Sequence, residues 1–231
     1  QIARATIVIH GHERNSFWQA LDVAAKSDAI STRLAVPQVA ATIYARCRHS
    51  LVPEMLTSLE NLVLRGLADA KSVEVQEASG ASLNIIISSS VSFEAATRLM
   101  PKFQSLLETK VPKARPTVMP QSFMDKQNAD NHAHLSREEC ESLWNAQVMK
   151  RAHTRVRRLA KIREGQLGIG ACILAFPYTI PDWVPGALVA IAQCRTRTGG
   201  ATSNLFATFR QSHQDGWDRH HKWRFTTDQM D

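Results

Sequence analysis

The sequence is short of the residues that build sheets and disulfide scaffolds. Aromatics make up 6% of its 231 residues and glycine occurs only ten times, which disfavours strand-and-turn architectures and favours helices. Its four cysteines, Cys47, Cys140, Cys172 and Cys194, show no paired short spacing, so neither a disulfide framework nor a zinc-finger ligand set is indicated. Free thiols without a leader pattern suggest a reducing compartment. The most apolar helical run covers about ten residues where a bilayer needs roughly 20, so no membrane is expected. A Gly-x-Ser-x-Gly elbow, a Cys–His arrangement in a known context and a phosphate-binding glycine loop are all missing. The string LGIGA at 167–171 lacks the third glycine of a dinucleotide fingerprint and follows a basic helix. No enzymatic activity, catalytic residue or metal is therefore expected.

What the sequence does have is a helical apolar pattern and a surplus of positive charge. Hydrophobic residues at 44% suffice for a packed core, and the net charge of +7 favours acidic partners. From Leu51 to Ala68, Leu56, Leu59, Val63 and Leu67 form one stripe, with Pro53 suited to a first turn. After a short turn, Val75, Ala78 and Leu83 recur, with Ala78, Gly80 and Ala81 small enough for close helix approach. Together these predict a helical pair of the HEAT type. Phe17, Leu21, Ala24 and Ala25 mark one helix, Leu34, Val39, Ile43 and Cys47 another, and Phe93, Ala96, Leu99, Phe103 and Leu106 a third. The apolar run at 2–10 reads as a further helix rather than a strand.

Pro112, Pro116 and Pro120 then predict an extended polar stretch over 111–135. A capping box, Ser136-Arg137-Glu138-Glu139, opens a long helix. The expected division is 1–110 helical repeats, 111–135 extended loop and 136–231 carboxy-terminal helical domain. The long helix carries Lys150, Arg151, Arg155, Arg158 and Lys161. Solvated charges on an amphipathic helix explain this pattern blandly; an anion-binding face is the sharper reading, since clustered guanidinium groups suit oxyanions. The histidines His132, His134, His213, His220 and His221 lack the short paired spacings of a zinc site and read as surface or capping residues.

The stretch LGIGACILAFPYTIPDWVPGALVAIA at 167–192 is a helix, a proline corner and a second helix. Pro177 ends the first helix, Pro181 fixes the corner, Asp182 is a plausible cap and Pro185 suits the next first turn. Trp183 is expected to pack across the corner, so that Trp183→Ala costs roughly 3–5 kcal/mol. Pro177, Tyr178, Pro181, Trp183 and Pro185, followed by Phe209, His213, Asp215, Trp217 and Phe225 in FRQSHQDGWDRHHKWRFTTDQM, resemble the carboxy-terminal region of the Blm-type proteasome activators, the family of proteasome activator complex subunit 4. Thr179 departs from that pattern, where the family usually has an acid.

The resemblance implies an all-α fold, an α-solenoid of HEAT-like pairs (an alpha-alpha superhelix, armadillo-type). It implies a non-enzymatic cap that binds the alpha ring of the 20S proteasome, regulates its gate and works in nucleus and cytoplasm. Acetylated histones are a further partner implied by the family; Asn128, Asn131 and Asn145 could donate an amide but read first as solvated polar residues, so none is assigned to that role, and inositol polyphosphate is the implied anionic ligand. Family members end in a hydrophobic-Tyr-X docking tail, which the sequence up to Asp231 does not contain, so the chain reads as an internal or truncated piece of a larger protein. The alternative is a HEAT or armadillo adaptor that binds nucleic acid or acidic cargo through the basic helix.

Overall fold

A computed structural model describes residues 11–90, 93–116, 118–131, 135–198 and 203–230. The run at 2–10 and the pair His132 and His134 lie outside the described residues. Every regular element among them is helical, in line with the all-α expectation. In order these are α1 (Gly11–Ala25), α2 (Ile30–Cys47), α3 (Pro53–Leu67), α4 (Val73–Ser89), α5 (Glu94–Leu107), α6 (Gln121–Asn131), α7 (Arg137–Leu174), α8 (Val184–Thr198), α9 (Ser203–Ser212) and α10 (Thr227–Met230). Short 3₁₀ and π turns fill 214–224 between the last two.

The chain separates into two compact units. One comprises 1–109 with 160–231, the other 110–159, a division that differs from the three consecutive blocks expected. The stretch expected to be extended holds α6 at Gln121–Asn131. Pro120 does not prevent that helix, because it stands just before the first turn and accepts from Phe123 N–H through its carbonyl. The missing signal was apolar periodicity: α6 is polar, so no buried stripe marks it.

In the larger unit α2, α3 and α4 pack against one another. α3 buries Leu59, Val63 and Leu67, as its stripe predicts, with Leu56 half-buried. α2 is rotated from expectation. Val36, Pro37, Ala40 and Ala41 face the core, while Leu34, Val39, Ile43 and Cys47 are only half-buried. Arg33 explains the preference: its guanidinium is buried, pairs with Asp69 at 2.7 Å and donates to the carbonyls of Ser27 and Asp28. Phe93 is also displaced, standing just before α5, 43% exposed and edge-on to Phe176.

Two side-chain amides fasten α4 to α7. Gln76, which is 1% exposed, donates to the carbonyls of Leu67 (2.9 Å) and Ala160 (3.0 Å) and accepts from Arg163. Asn84 donates to Ala171 at 3.0 Å. Between them Gly80 faces Leu167, whose Cβ would be 3.3 Å from any Cβ added there. Gly80 thus gives the close approach that the sequence suggests, whereas Ala78 is half-buried and Ala81 is exposed.

Phe103 of α5 is fully buried in a notch that α7 leaves open with glycines. A Cβ on Gly168 would lie 2.5 Å from the Phe103 ring, and one on Gly165 2.8 Å from the Phe103 carbonyl. Gly186, near the start of α8, has nothing within 4 Å of the same position. The two glycines should therefore respond oppositely to alanine. In urea unfolding, Gly168→Ala should cost about 1–3 kcal/mol by overpacking, whereas Gly186→Ala should add about 0.5–1 kcal/mol through helix propensity.

Candidate functional site

The basic face of α7 lies in the smaller unit and is built with the segment 110–116. Arg151, Arg155 and Arg158 are spaced four and three residues apart, so they share one helical face. Each reaches a carbonyl of the neighbouring segment: Arg151 Nε donates to Lys113 (2.9 Å), Arg155 Nη1 to Pro112 (2.8 Å) and Arg158 Nη1 to Lys110 (2.7 Å). A cavity of about 340 Å³ opens beside this ladder, lined by Pro112, Arg115, Gln147, Lys150, Arg151, Thr154 and Arg158. Among the described residues its wall has four cationic side chains and no carboxylate.

Of the five expected anion ligands, Lys150, Arg151 and Arg158 meet at this cavity. Arg155 is on the ladder but not in the wall, and Lys161 belongs to the other unit. Arg115 is the member that sequence reasoning missed. Its guanidinium lies 5.0 Å over the Trp144 ring and also bonds Gln147. A lone arginine between prolines carries no periodic signal that it folds back onto a helix.

A second cavity in the smaller unit, about 270 Å³, is lined by Val118, Met119, Gln121, Met124, Arg137, Glu141, Trp144 and Asn145. Trp144 is held edge-on by Phe123 at 4.9 Å, and its buried indole N–H has no acceptor among the described residues. Asn145 thus lies on a cavity wall. For Asn128 and Asn131 the side chains lie outside the described ones. The capping box forms as read: Glu139 accepts from the Ser136 N–H at 2.8 Å and Ser136 Oγ from the Glu139 N–H. The Ser136 N–H and then the Ser136 hydroxyl, which donates to the same carboxylate at 2.9 Å, hold the Glu139 carboxyl below its usual range.

The corner and terminal cap lie in the larger unit. α7 ends at Leu174 and α8 begins at Val184, with Pro185 in its first turn. Pro177 and Tyr178 are exposed, Tyr178 at 86%, while Pro181 and Trp183 are half-buried. Asp182 points to Arg224 at 2.6 Å and is almost fully exposed, tying the corner to the terminal turns. A half-buried Trp183 lowers the expected loss for Trp183→Ala to about 2 kcal/mol.

Phe209 and His213 stack at 4.4 Å, and Trp217 meets Phe225 at 5.1 Å. Asp215 is exposed. His213 is buried, its Nδ1 lying 3.0 Å from the Phe209 carbonyl and 2.9 Å from the Ser212 hydroxyl, while its buried Nε2 has no hydrogen-bond partner among the described residues. His221 is edge-on to His213 at 5.1 Å. No group of three His, Cys, Asp or Glu side chains among the described residues converges as a metal's ligand set. Phe209, His213, Trp217 and Phe225 thus pack through ring contacts.

Residues 159–231 match the family model described as proteasome activator complex subunit 4-like, C-terminal. Residues 159–231 are thus similar to the C-terminal region of the proteasome activator complex subunit 4 family. The chain is 35% identical to the human proteasome activator complex subunit 4 over 75 residues, 36% to zebrafish (Danio rerio) subunit 4A and 35% to that of Xenopus laevis. Each match covers 31% of this chain and 4% of the relative's length. The region shared with the proteasome activator complex subunit 4 family therefore contains the apolar end of α7, the proline corner, α8 and the terminal cap. The cationic cavity precedes it.

The cap should be sensitive to acid. Burial first, then His213, His220 and Arg224, hold the His221 imidazole below its ordinary 6.5. The unfolded chain then takes up the extra proton more readily, so stability falls as pH drops below about 6.5 towards the folded value. Thermal melts should show a smaller loss between about pH 7 and pH 5.5 for His221→Gln than for the parent chain.

Proposed function

We propose that this chain is the carboxy-terminal segment of a non-enzymatic activator that caps the 20S proteasome core particle, binds its alpha ring and regulates the gate. The observation that carries the reading is the family match over 159–231, because its Pro, Trp, His and Phe residues fall on the corner and the cap. Helical pairs such as α3 and α4 would continue as a HEAT-like solenoid, the curved scaffold on which a cap of this kind depends. Action in nucleus and cytoplasm belongs to the same proposal.

Two ligand proposals accompany it. The cationic cavity on α7 supports binding of an anion such as an inositol polyphosphate. The Trp144 cavity, with Asn145 on its wall and an unpartnered indole N–H, supports recognition of a carbonyl-bearing group, as an acetylated histone tail would present. The cationic cavity also favours one rival, an adaptor that meets nucleic acid or acidic cargo through the basic helix.

One experiment separates the two. The chain is mixed with purified 20S core particles and, separately, with duplex DNA, before and after Arg151, Arg155 and Arg158 are replaced by glutamate. The activator reading expects co-migration with the core particle on native gels, little changed by the replacements. Failure to associate with the core particle, together with DNA binding that falls steeply with salt and vanishes in the variant, would replace it with the adaptor.

A further inference from the structure

The segment 110–116 is one wall of the cationic cavity as well as a connection. Pro112 and Arg115 come from it, while Gln147, Lys150, Arg151, Thr154 and Arg158 come from α7. We propose that a multivalent anion seated here locks this segment onto α7 as a strap. The inference rests on the anion reading of the basic helix and adds what binding accomplishes.

Three observations carry it. First, the arginine ladder leaves most donors unused. A guanidinium has five N–H groups, and Arg151, Arg155 and Arg158 each place one on a strap carbonyl. The bonds orient the guanidinium groups and leave their remaining N–H groups for a ligand. Second, the strap carbonyls are neutral, so the ladder leaves the charge uncompensated. No ion pair among the described residues involves Arg115, Lys150, Arg151, Arg155 or Arg158. Third, the strap brings its own cation to the site. Arg115 is held over Trp144 and against Gln147, opposite cations that belong to the helix.

Without an anion, Arg115 adds positive charge to a face that already has three cations, and repulsion works against the carbonyl bonds. With an anion bearing several oxygens, the same charges become ligands from both walls. A monovalent ion cannot bridge them in this way. The fit is to clustered anionic oxygens, as in a polyphosphate, with guanidinium groups binding in pairs.

Trypsin reads the strap directly. Lys110 and Lys113 are exposed and are followed by Val111 and Ala114, whereas the bond after Arg115 precedes Pro116 and resists cleavage. On the whole chain, tripolyphosphate at about ten times its Kd should slow cleavage after Lys110 and Lys113 about tenfold. Cleavage after Lys26 and Arg210 serves as the reference, and sodium chloride at matched ionic strength should give no such protection. Arg115→Gln should still bind tripolyphosphate in calorimetry, more weakly, but lose most of the protection. If the parent chain binds the probe while strap cleavage is unchanged, the lock is wrong and the anion reading stands. If calorimetry detects no binding, the anion reading itself fails. Protection of Arg115→Gln equal to that of the parent would also overturn the bridging role. The comparison within the parent chain decides the lock even if the variant folds poorly.

Discussion

The larger unit depends on how α4 lies along the apolar half of α7. Buried amides are costly unless satisfied, and Gln76 satisfies its own by donating to two helices at once, α3 at Leu67 and α7 at Ala160. Asn84 repeats the contact at Ala171. Ala160 and Ala171 lie inside α7, where a helix carbonyl has a second lone pair to offer, while Leu67 ends α3 and its carbonyl needs a donor from elsewhere. Eight residues along α4 correspond to eleven along α7, so the two helices run in the same direction. Sliding either by one residue would strand both amides. The hydrophobic stripe supplies the driving force, but it tolerates small slips; the amides do not.

This explains the composition of α7. Its described residues up to Leu159 are mainly exposed, apart from Cys140 and Trp144, while Ala160, Ile162, Ile169, Ala171, Cys172 and Ile173 are buried. Its glycines admit neighbours that larger residues would exclude: Gly165 and Gly168 receive Phe103. The same burial pushes the Cys172 thiol up to about 12, leaving it a small packing group without reactivity. Glu164 is held neutral more readily for the same reason, although Lys102 at 3.6 Å opposes that shift.

What the sequence disclosed follows the same physics. Signals that repeat along one helix were legible: the α3 stripe, the capping box of α7, the first-turn position of Pro185 and Gly80 of α4. Signals that depend on a partner were not. Arg33 rotates α2 because it needs Asp69 from another element, and nothing in the local pattern of α2 announces that. α6 has no buried stripe to read. Arg115 gains its place from Trp144 and Gln147, both about thirty positions along the chain. The anion ligands on α7 were readable as a charge cluster, yet which of them converge depended on where the strap lies.

The arginines of α7 show why a bland and a sharp reading of one charge cluster need not compete. Guanidinium groups that merely face solvent hold no fixed geometry and confer little stability. Here the strap carbonyls orient three of them, and orientation is what an anion site requires to bind without first ordering flexible side chains. The structural role therefore prepares the binding role. Neutral acceptors are essential to this: had Lys110, Pro112 and Lys113 presented carboxylates instead of carbonyls, the same ladder would be tighter but its charge would be cancelled. A backbone ladder is the arrangement that both positions these cations and leaves their charge available.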